Sequence, residues 1–425
     1  MKALVLERSL PRFAASRVAS VFGSGRGAGM GPLSLKDTEA PDLPGEEWHH
    51  LVPLLSGICG SDLATVDGRT SRYFEDLVSF PFVPGHEVVG ILPEGGTDHA
   101  GRTLAPGTRA VIEPVLGCAP RHITPRCPSC ASGATGLCGN TAFGHLEPGL
   151  QTGYCADTGG GWSQAGLAAH ASQLHAVPES FRDEDGVIVE PVACAVHAVL
   201  SAGVVPGDLV AVLGAGTLGL ASLAALDGLV RPSVPCTVVV GAKHAAQRRL
   251  AEELGADQVV APDQLARAVR RRAGSLVLGG RLTAGADVVL DCVGSAASLT
   301  EALGMVRPRG TVVLVGMPGT VSIDLAPLWH REIRLVGAYA YGAETPPAPT
   351  GADDAGTDDD TTAAGTRRSF ELAMDLVGAA GLGRLVSARY PLERYEEALA
   401  HAGSAGRRGA VKVAFDLTTA KGRTR

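Results

Sequence analysis

Between Gly57 and Glu87 the chain places a thiol, a hydroxyl, an imidazole and a carboxylate on two glycine-flanked turns. Cys59 and Ser61 lie in GICGSD, and His86 and Glu87 lie in PGHE. Thiolate and neutral imidazole are favoured donors to zinc, and a catalytic zinc commonly takes three protein ligands and leaves one position open. Cys59 and His86 supply two such donors. The plain alternative for either residue alone is a packed thiol or a satisfied loop histidine, and two ligands do not complete a site. The neighbouring glycines let the backbone turn sharply enough to present both side chains.

A second group reads Cys118, Cys127, Cys130 and Cys138, spaced C-x8-C-x2-C-x7-C in a Pro- and Gly-rich loop over about 117–140. Four thiolates in so short a loop match a closed, tetrahedral structural zinc whose binding energy folds a segment with no core of its own. His122, in the same loop, is a spare donor should one cysteine fall short. A third group follows the apolar run LVAVL: Gly214, Ala215, Gly216, Thr217, Leu218 and Gly219, then a helical LASLAAL. A strand before and a helix after mark this GxGxxG as a dinucleotide site. Gly214 permits the tight turn, Gly216 lets the backbone approach the pyrophosphate, and Gly219 allows close helix packing. The helix N-terminus then faces the phosphates.

Where the next strand ends, NAD enzymes carry a carboxylate for the ribose hydroxyls, but this chain reads Val240, Gly241, Ala242, Lys243 and His244. Lys243, His244 or Arg248 could face the 2′-phosphate of NADP. Alternatively, Lys243 and Arg248 are ordinary solvated helix charges. NAD and NADP both stay open.

The elements that must hold these groups fall into two textures. A chain of 425 residues exceeds one hydrophobic core. Runs at Met1–Glu7, Pro41–Pro53, Val88–Leu92 and Thr108–Leu116, punctuated by Pro and Gly, predict a β-rich domain. Phe13 to Gly31, rich in Ala, Ser, Arg and Gly, reads as an irregular, mobile excursion. After Val177, strand-like runs at Leu209–Leu213, Thr237–Val240, Gln258–Val260, Val288–Leu290 and Thr311–Val315 alternate with helical segments, the pattern of a doubly wound parallel sheet. Tyr341 to Arg368 contains PPAPTGADDAGTDDDTTAAGT, too poor in apolar residues to order itself. Phe370–Leu376 and Glu393–His401 read as helices, and Ala410–Phe415 as a closing strand.

Net charge is −7 and no basic run forms an extended face, which argues against nucleic acid and anionic membranes as partners. No apolar run approaches the roughly 18 residues of a membrane span, and Glu7 and Arg8 interrupt the start, so a cytoplasmic protein is expected. Nine cysteines in a reducing compartment argue for metal binding or burial over disulfides.

With GICGSD, PGHE, a four-cysteine lobe and a Rossmann motif in this order, the chain resembles the zinc-dependent medium-chain dehydrogenase/reductase family, of the alcohol and polyol dehydrogenase type. The likeness extends through DCVGS at Asp291–Ser295, LVGMPG at Leu314–Gly319 and the closing KVAF. It implies an α/β protein with two domains. One is a β-rich GroES-like catalytic domain, residues 1–191 and 343–425, with the zinc lobe at about 117–140 and a disordered loop at 343–366. The other is a Rossmann domain, a doubly wound parallel sheet over residues 192–342.

The resemblance also assigns roles. Cys59 and His86 match the first two catalytic zinc ligands, Glu87 the adjacent acid that ligates the metal or holds its water, and Glu190 in VEPVACAVH the remaining ligand. Pro191 would open a helix and leave Glu190 on the turn before it, with Cys194 and His197 on one helical face, packing. Ser61 matches the hydroxyl that takes the substrate proton. Some members end that relay with a histidine where this chain has Ala64, and others meet pyrophosphate with an arginine where it has Gly60. The proton would therefore exit through water or the cofactor ribose. Main-chain groups around Val293, Gly294, Val315 and Gly316 would fix the carboxamide. The family usually spaces its first two lobe cysteines by two residues, so Cys118 would reach the metal through a longer loop.

The expected activity is reversible oxidation of a small alcohol or polyol to a ketone or aldehyde, with two zinc ions per chain, NAD or NADP, and a homodimer or homotetramer. Two alternatives stand beside it. One is a double-bond reductase on the same scaffold, needing none of Cys59, His86 or Glu190. The other is a non-catalytic zinc protein that binds a dinucleotide.

Overall fold

A computed structural model describes residues 1–348 and 365–418. The chain divides into two compact units, Met1–Glu190 with Gly381–Arg425, and Pro191–Ala380.

The first unit is built on the strand Trp48–Gly57. Its first half pairs antiparallel with Leu167–His170, its second half with Val88–Ile91, and its end with Ala414–Asp416. The register shifts between Pro53 and Leu55, where proline has no N–H to offer the ladder. Around it the sheet runs Val386–Pro391, Lys412–Asp416, Trp48–Gly57, Val88–Ile91, Arg109–Ile112 and Leu174–Ala176. Leu4, Leu6, Phe82, Trp162 and Phe415 fill the core on one side, with Trp162 edge-on to Phe415 at 5.1 Å. This pairing brings the two chemistry-bearing turns together, because Gly57 N–H donates to Glu87 O at 2.8 Å.

The stretch expected to be an irregular excursion is ordered. Leu10–Ala19 is an α-helix with Pro11 in its first turn, where the missing N–H costs nothing. Ser16 Oγ donates to Val66 O at 2.6 Å, and the buried Asp67 carboxylate accepts from Gly25 N at 3.0 Å and Ser24 Oγ at 2.6 Å. Arg69 neutralises Asp67 at 2.7 Å. The segment is fastened chiefly by these polar contacts, with only Phe13 and Ala28 reaching the apolar core, which is why hydrophobic periodicity missed it.

The second unit carries a six-stranded parallel sheet in the order Gln258–Val260, Thr237–Gly241, Leu209–Leu213, Ala286–Asp291, Val306–Leu314 and Arg334–Gly337. This is the doubly wound Rossmann order, and the crevice where the order reverses is its ligand position. Leu209–Leu213 is buried at every residue, as a strand covered on both faces must be.

Two expectations need correction here. The flanks of the low-complexity stretch are not disordered: Ala343–Glu344 pairs antiparallel with Arg367–Arg368, while residues 349–364 lie outside the described residues. The division between units falls after Ala380, not at 343. Helix Ser369–Ala380 must cover Phe370, Ala373 and Val377, all fully buried, and it does so against helix Thr217–Ala225 of the second unit.

Candidate metal and dinucleotide sites

Cys59 caps the short helix Gly60–Val66, and its N–H donates to Asp62 Oδ2 at 2.9 Å. One ligand atom each from Cys59, His86 and Glu87 lies within 4.8 Å of the others. His86 and Glu87 are buried. His86 Nδ1 faces Asp62 Oδ1 at 3.3 Å, without the alignment of a full hydrogen bond. Burial works against the imidazolium, yet the Asp62 carboxylate and the Cys59 thiol outweigh it and hold the proton affinity of His86 well above the ordinary value. Glu87 Oε2 is buried without a partner, and a Cβ at Gly57 would stand 1.8 Å from that oxygen. A thiol, an imidazole backed by a carboxylate, and an orphaned carboxylate oxygen form a donor set that fits zinc.

The other Glu87 oxygen is held by Lys412 Nζ, which also donates to Ile58 O at 3.2 Å. Burial opposes the charge on Lys412, and Glu87, Cys59 and Glu190 overcome it, raising its pKa. Sequence reasoning missed Lys412. Its signal was a lysine in the otherwise apolar run AVKVAF. Glu190 differs from expectation: it sits in the first turn of helix Val189–Ser201, not on the turn before it. Pro191 is tolerated there because first-turn N–H groups have no intrahelical partner. The buried Glu190 carboxylate lies outside the 4.8 Å group of Cys59, His86 and Glu87. His197, on the same helix, pairs through Nδ1 with Glu344 Oε1 at 2.6 Å, in keeping with packing.

Ser61 is half-buried, and its hydroxyl acts on the phenol of Tyr154 in the direction that favours the ionised form. The same phenol donates to Asp62 Oδ1 at 3.4 Å and meets Thr65 Oγ1 at 3.5 Å, and Thr65 Oγ1 meets Thr70 Oγ1 at 3.1 Å. Burial, then Asp62, push the Tyr154 pKa up, so it remains a hydroxyl. Tyr154 lies in no motif, and nothing in its local sequence marks it.

The four lobe cysteines converge, with all four sulfurs within 4.8 Å of one another. Cys118 and Cys138 are 3.6 Å apart and Cys127 and Cys138 3.8 Å. A tetrahedron of sulfurs at the Zn–S distance of about 2.3 Å has edges of about 3.8 Å. Backbone N–H groups of Cys130 and Gly139 bring the Cys127 pKa down to about 6, while burial pushes Cys138 up to about 11 and Cys130 upward as well. Thiolates so close repel one another unless a cation sits among them. The longer Cys118–Cys127 loop is organised by Arg121, whose Nε and terminal nitrogens donate to the carbonyls of Leu116, Phe143, Leu146, Glu147 and Gly149 at 2.8–3.1 Å. His122 is not needed as a spare donor.

In the second unit, Gly214 has φ 91° and its N–H donates to Gly241 O at 3.2 Å. A Cβ on Gly219 would lie 2.0 Å from Gly214 O, whereas one on Gly216 would meet nothing within 4 Å. The helix starting with Thr217 and Leu218 therefore packs tightly and presents an open N-terminus. Asp291 Oδ1 accepts from Val293 N and Gly294 N at 3.0 and 3.1 Å, and Asp291 O accepts from Val315 N and Gly316 N at 3.0 and 2.9 Å. One buried aspartate thus gathers all four residues expected around the carboxamide. Lys243 is exposed, and Arg248 donates to Ala242 O at 2.9 Å and Lys243 O at 3.3 Å.

A β-rich unit with clustered zinc donors and a Rossmann sheet in one chain define a zinc-type dinucleotide oxidoreductase. The alcohol dehydrogenase GroES-like domain profile matches residues 51–179, and the zinc-binding dehydrogenase profile residues 233–350. An L-idonate 5-dehydrogenase of Vitis vinifera is 30% identical over 287 residues, covering 67% of this chain and 71% of that protein. A sorbitol dehydrogenase of Arabidopsis thaliana is 32% identical over 289 residues, with coverage of 67% and 71%. A solved structure described as a zinc-binding dehydrogenase from Sinorhizobium meliloti 1021 bound to NADP is 28% identical. It covers 90% of this chain and 96% of that one, with a TM-score of 0.65. The chain belongs to the zinc-dependent medium-chain dehydrogenase family, among the alcohol and polyol dehydrogenases. Among the described residues no helix is long and apolar enough to cross a membrane.

Proposed function

We propose that this chain catalyses the reversible oxidation of a small alcohol or polyol to a ketone or aldehyde, with a nicotinamide dinucleotide accepting the hydride. The observation that carries this is the group formed by Cys59, His86 and Glu87, one ligand atom of each within 4.8 Å of the others. Cys59, His86 and Glu87, with the buried Glu190 at hand, would hold one zinc, and Cys118, Cys127, Cys130 and Cys138 a second. The bound groups supply Lewis acidity at the substrate hydroxyl and a ring that accepts hydride.

The chain's own residues do the rest. Asp62 orients His86, and Lys412 keeps one oxygen of Glu87 engaged and the other available. Ser61 takes the hydroxyl proton of the substrate as it gives its own to Tyr154, Tyr154 passes one to Thr65, Thr65 one to Thr70, and the part-exposed Thr70 one to solvent water, each side chain remaining neutral. This route stands in for the histidine that Ala64 replaces. Gly214, Gly216 and Gly219 admit the pyrophosphate, while Val293, Gly294, Val315 and Gly316 offer main-chain groups to the carboxamide. NADP is the preferred cofactor in this reading: the second strand ends without a carboxylate, Lys243 is exposed beside it, and a 28% identical structure is bound to NADP. We place the enzyme in the cytoplasm as a homo-oligomer.

The test is a panel of alcohols and polyols with NAD and NADP separately, on protein assayed for zinc. Two zinc per chain and faster NADP reduction with at least one polyol are expected. Zinc-replete protein that reduces neither cofactor across the panel overturns the reading. A Cys59→Ala variant with full reductase activity toward activated double bonds points to the reductase instead.

A further inference from the structure

Apart from the two donor groups above, a third set converges within the first unit. Glu47 precedes the strand Trp48–Gly57, His122 comes from the cysteine loop, and His170 ends the strand Leu167–His170. One carboxylate oxygen and one ring nitrogen of each histidine lie within 4.8 Å of one another. The segments are distant in sequence, and the pairing of Trp48 with His170 sets two of them side by side. We propose that Glu47, His122 and His170 form a third metal site, for a borderline divalent ion such as Zn²⁺, Co²⁺, Ni²⁺ or Cu²⁺, with the remaining positions taken by water.

The two rings are held, not loosely displayed. His170 is buried, with its ring edge-on to Trp48 at 5.4 Å. Its Nε2 faces Glu47 Oε2 at 3.2 Å, and its Nδ1 lies 2.8 Å from Ser172 Oγ and accepts from Ser172 N at 3.1 Å. In that arrangement the ring proton is on Nε2. A metal at Nε2 moves it to Nδ1, where Ser172 Oγ accepts it as the outer hydrogen bond a ligating histidine normally makes. The exchange gives up the Ser172 N–H contact.

His122 has φ 51°, a left-handed conformation uncommon for a residue other than glycine and a form of strain that collects at working sites. Its ring lies over Gly45, where a Cβ would stand 2.9 Å from Cε1. His145 stacks on it with centroids 4.4 Å apart and 24° between planes. The exposed partner is thus preset by the backbone, by a glycine gap and by a second ring. A bound ion would tie the cysteine lobe to two strands of the first unit, a role separate from hydride transfer.

The experiment uses the full-length, zinc-replete protein beside His122→Ala and Glu47→Gln, two exposed positions whose folding is checked by circular dichroism. After equilibrium dialysis against Zn²⁺ or Co²⁺, wild type is expected to hold one ion per chain more than His122→Ala. Cu²⁺ should quench the fluorescence of Trp48, next to His170, at a concentration at least about 10-fold lower in wild type than in either variant, since even outer-shell losses cost about that much affinity. Dehydrogenase activity is expected to be the same in all three, so failure here leaves the proposed function untouched. Equal ion counts and equal quenching in wild type and both variants overturn the site.

Discussion

Replacing Lys412 with methionine keeps the length and apolar stem of the side chain and removes only the charge. The buried Glu87 carboxylate, 0% exposed, then loses the ammonium that holds Oε1, while Oε2 already lacks a partner. Breaking a buried pair from one side costs about 3–5 kcal/mol. Lys412→Met should therefore lower the unfolding free energy of metal-stripped protein by that amount at pH 7, read from urea denaturation at unchanged m-value. Adding Glu87→Gln should recover most of the loss, because the penalty belongs to the uncompensated charge and not to the missing lysine. The folded-state pKa of Lys412 is raised. Its contribution is thus fully present below the unfolded value of about 10.4 and disappears only as pH rises through the folded value, so the lysine's own share of the stability does not vary between about pH 6 and 9. A loss under about 1 kcal/mol, or no relief from Glu87→Gln, refutes the reasoning, since either means that water or a shifted backbone already solvates Glu87.

Arg121→Met should cost at least about 3 kcal/mol in urea denaturation, because five carbonyls lose their charged donor at once. Arg121→Lys should recover only part of that, lacking the planar fork. Tyr154→Phe should lower kcat by roughly 10- to 100-fold with little change in KM, measured by steady-state kinetics, as expected when a proton path is cut and binding is spared. In chelator-treated protein, Cys127, with its pKa near 6, is a thiolate at pH 7. It should be alkylated by iodoacetamide ahead of Cys130 and Cys138 as followed by peptide mass spectrometry, and added Zn²⁺ should protect it.

What the sequence made legible was whatever is encoded locally. Glycines beside Cys59 and His86 announced turns that present side chains, the spacing of four cysteines announced a cluster, and the wholly apolar LVAVL announced a strand covered on both faces. What stayed hidden depends on distant pairing. Asp62 stood in plain view in GICGSD, but its role as the brace of His86 needs the register of strand Trp48–Gly57 against Val88–Ile91. Asp291 was read as part of a motif, and only the fold makes it the residue that collects Val293, Gly294, Val315 and Gly316. Tyr154 is 92 positions from Asp62. The helix Leu10–Ala19 escaped because Asp67 and Val66, well downstream, supply its anchors.

The strand Lys412–Asp416 is the last to join the sheet, and it brings the charge that steadies Glu87. Lys412 and Ile58, which it touches, are 354 positions apart. At the usual pace of about 5–20 residues per second, a ribosome needs roughly 20–70 s to travel between them. Through that interval the nascent chain carries PGHE beside GICGSD with no ammonium for the buried acid, while the whole Rossmann sheet is being made. Translation order thus works as a timer: the dinucleotide-binding half can be finished before the metal-binding half has its final strand. A ribosome that stalls before Lys412 leaves a product with an open sheet edge and an uncompensated carboxylate.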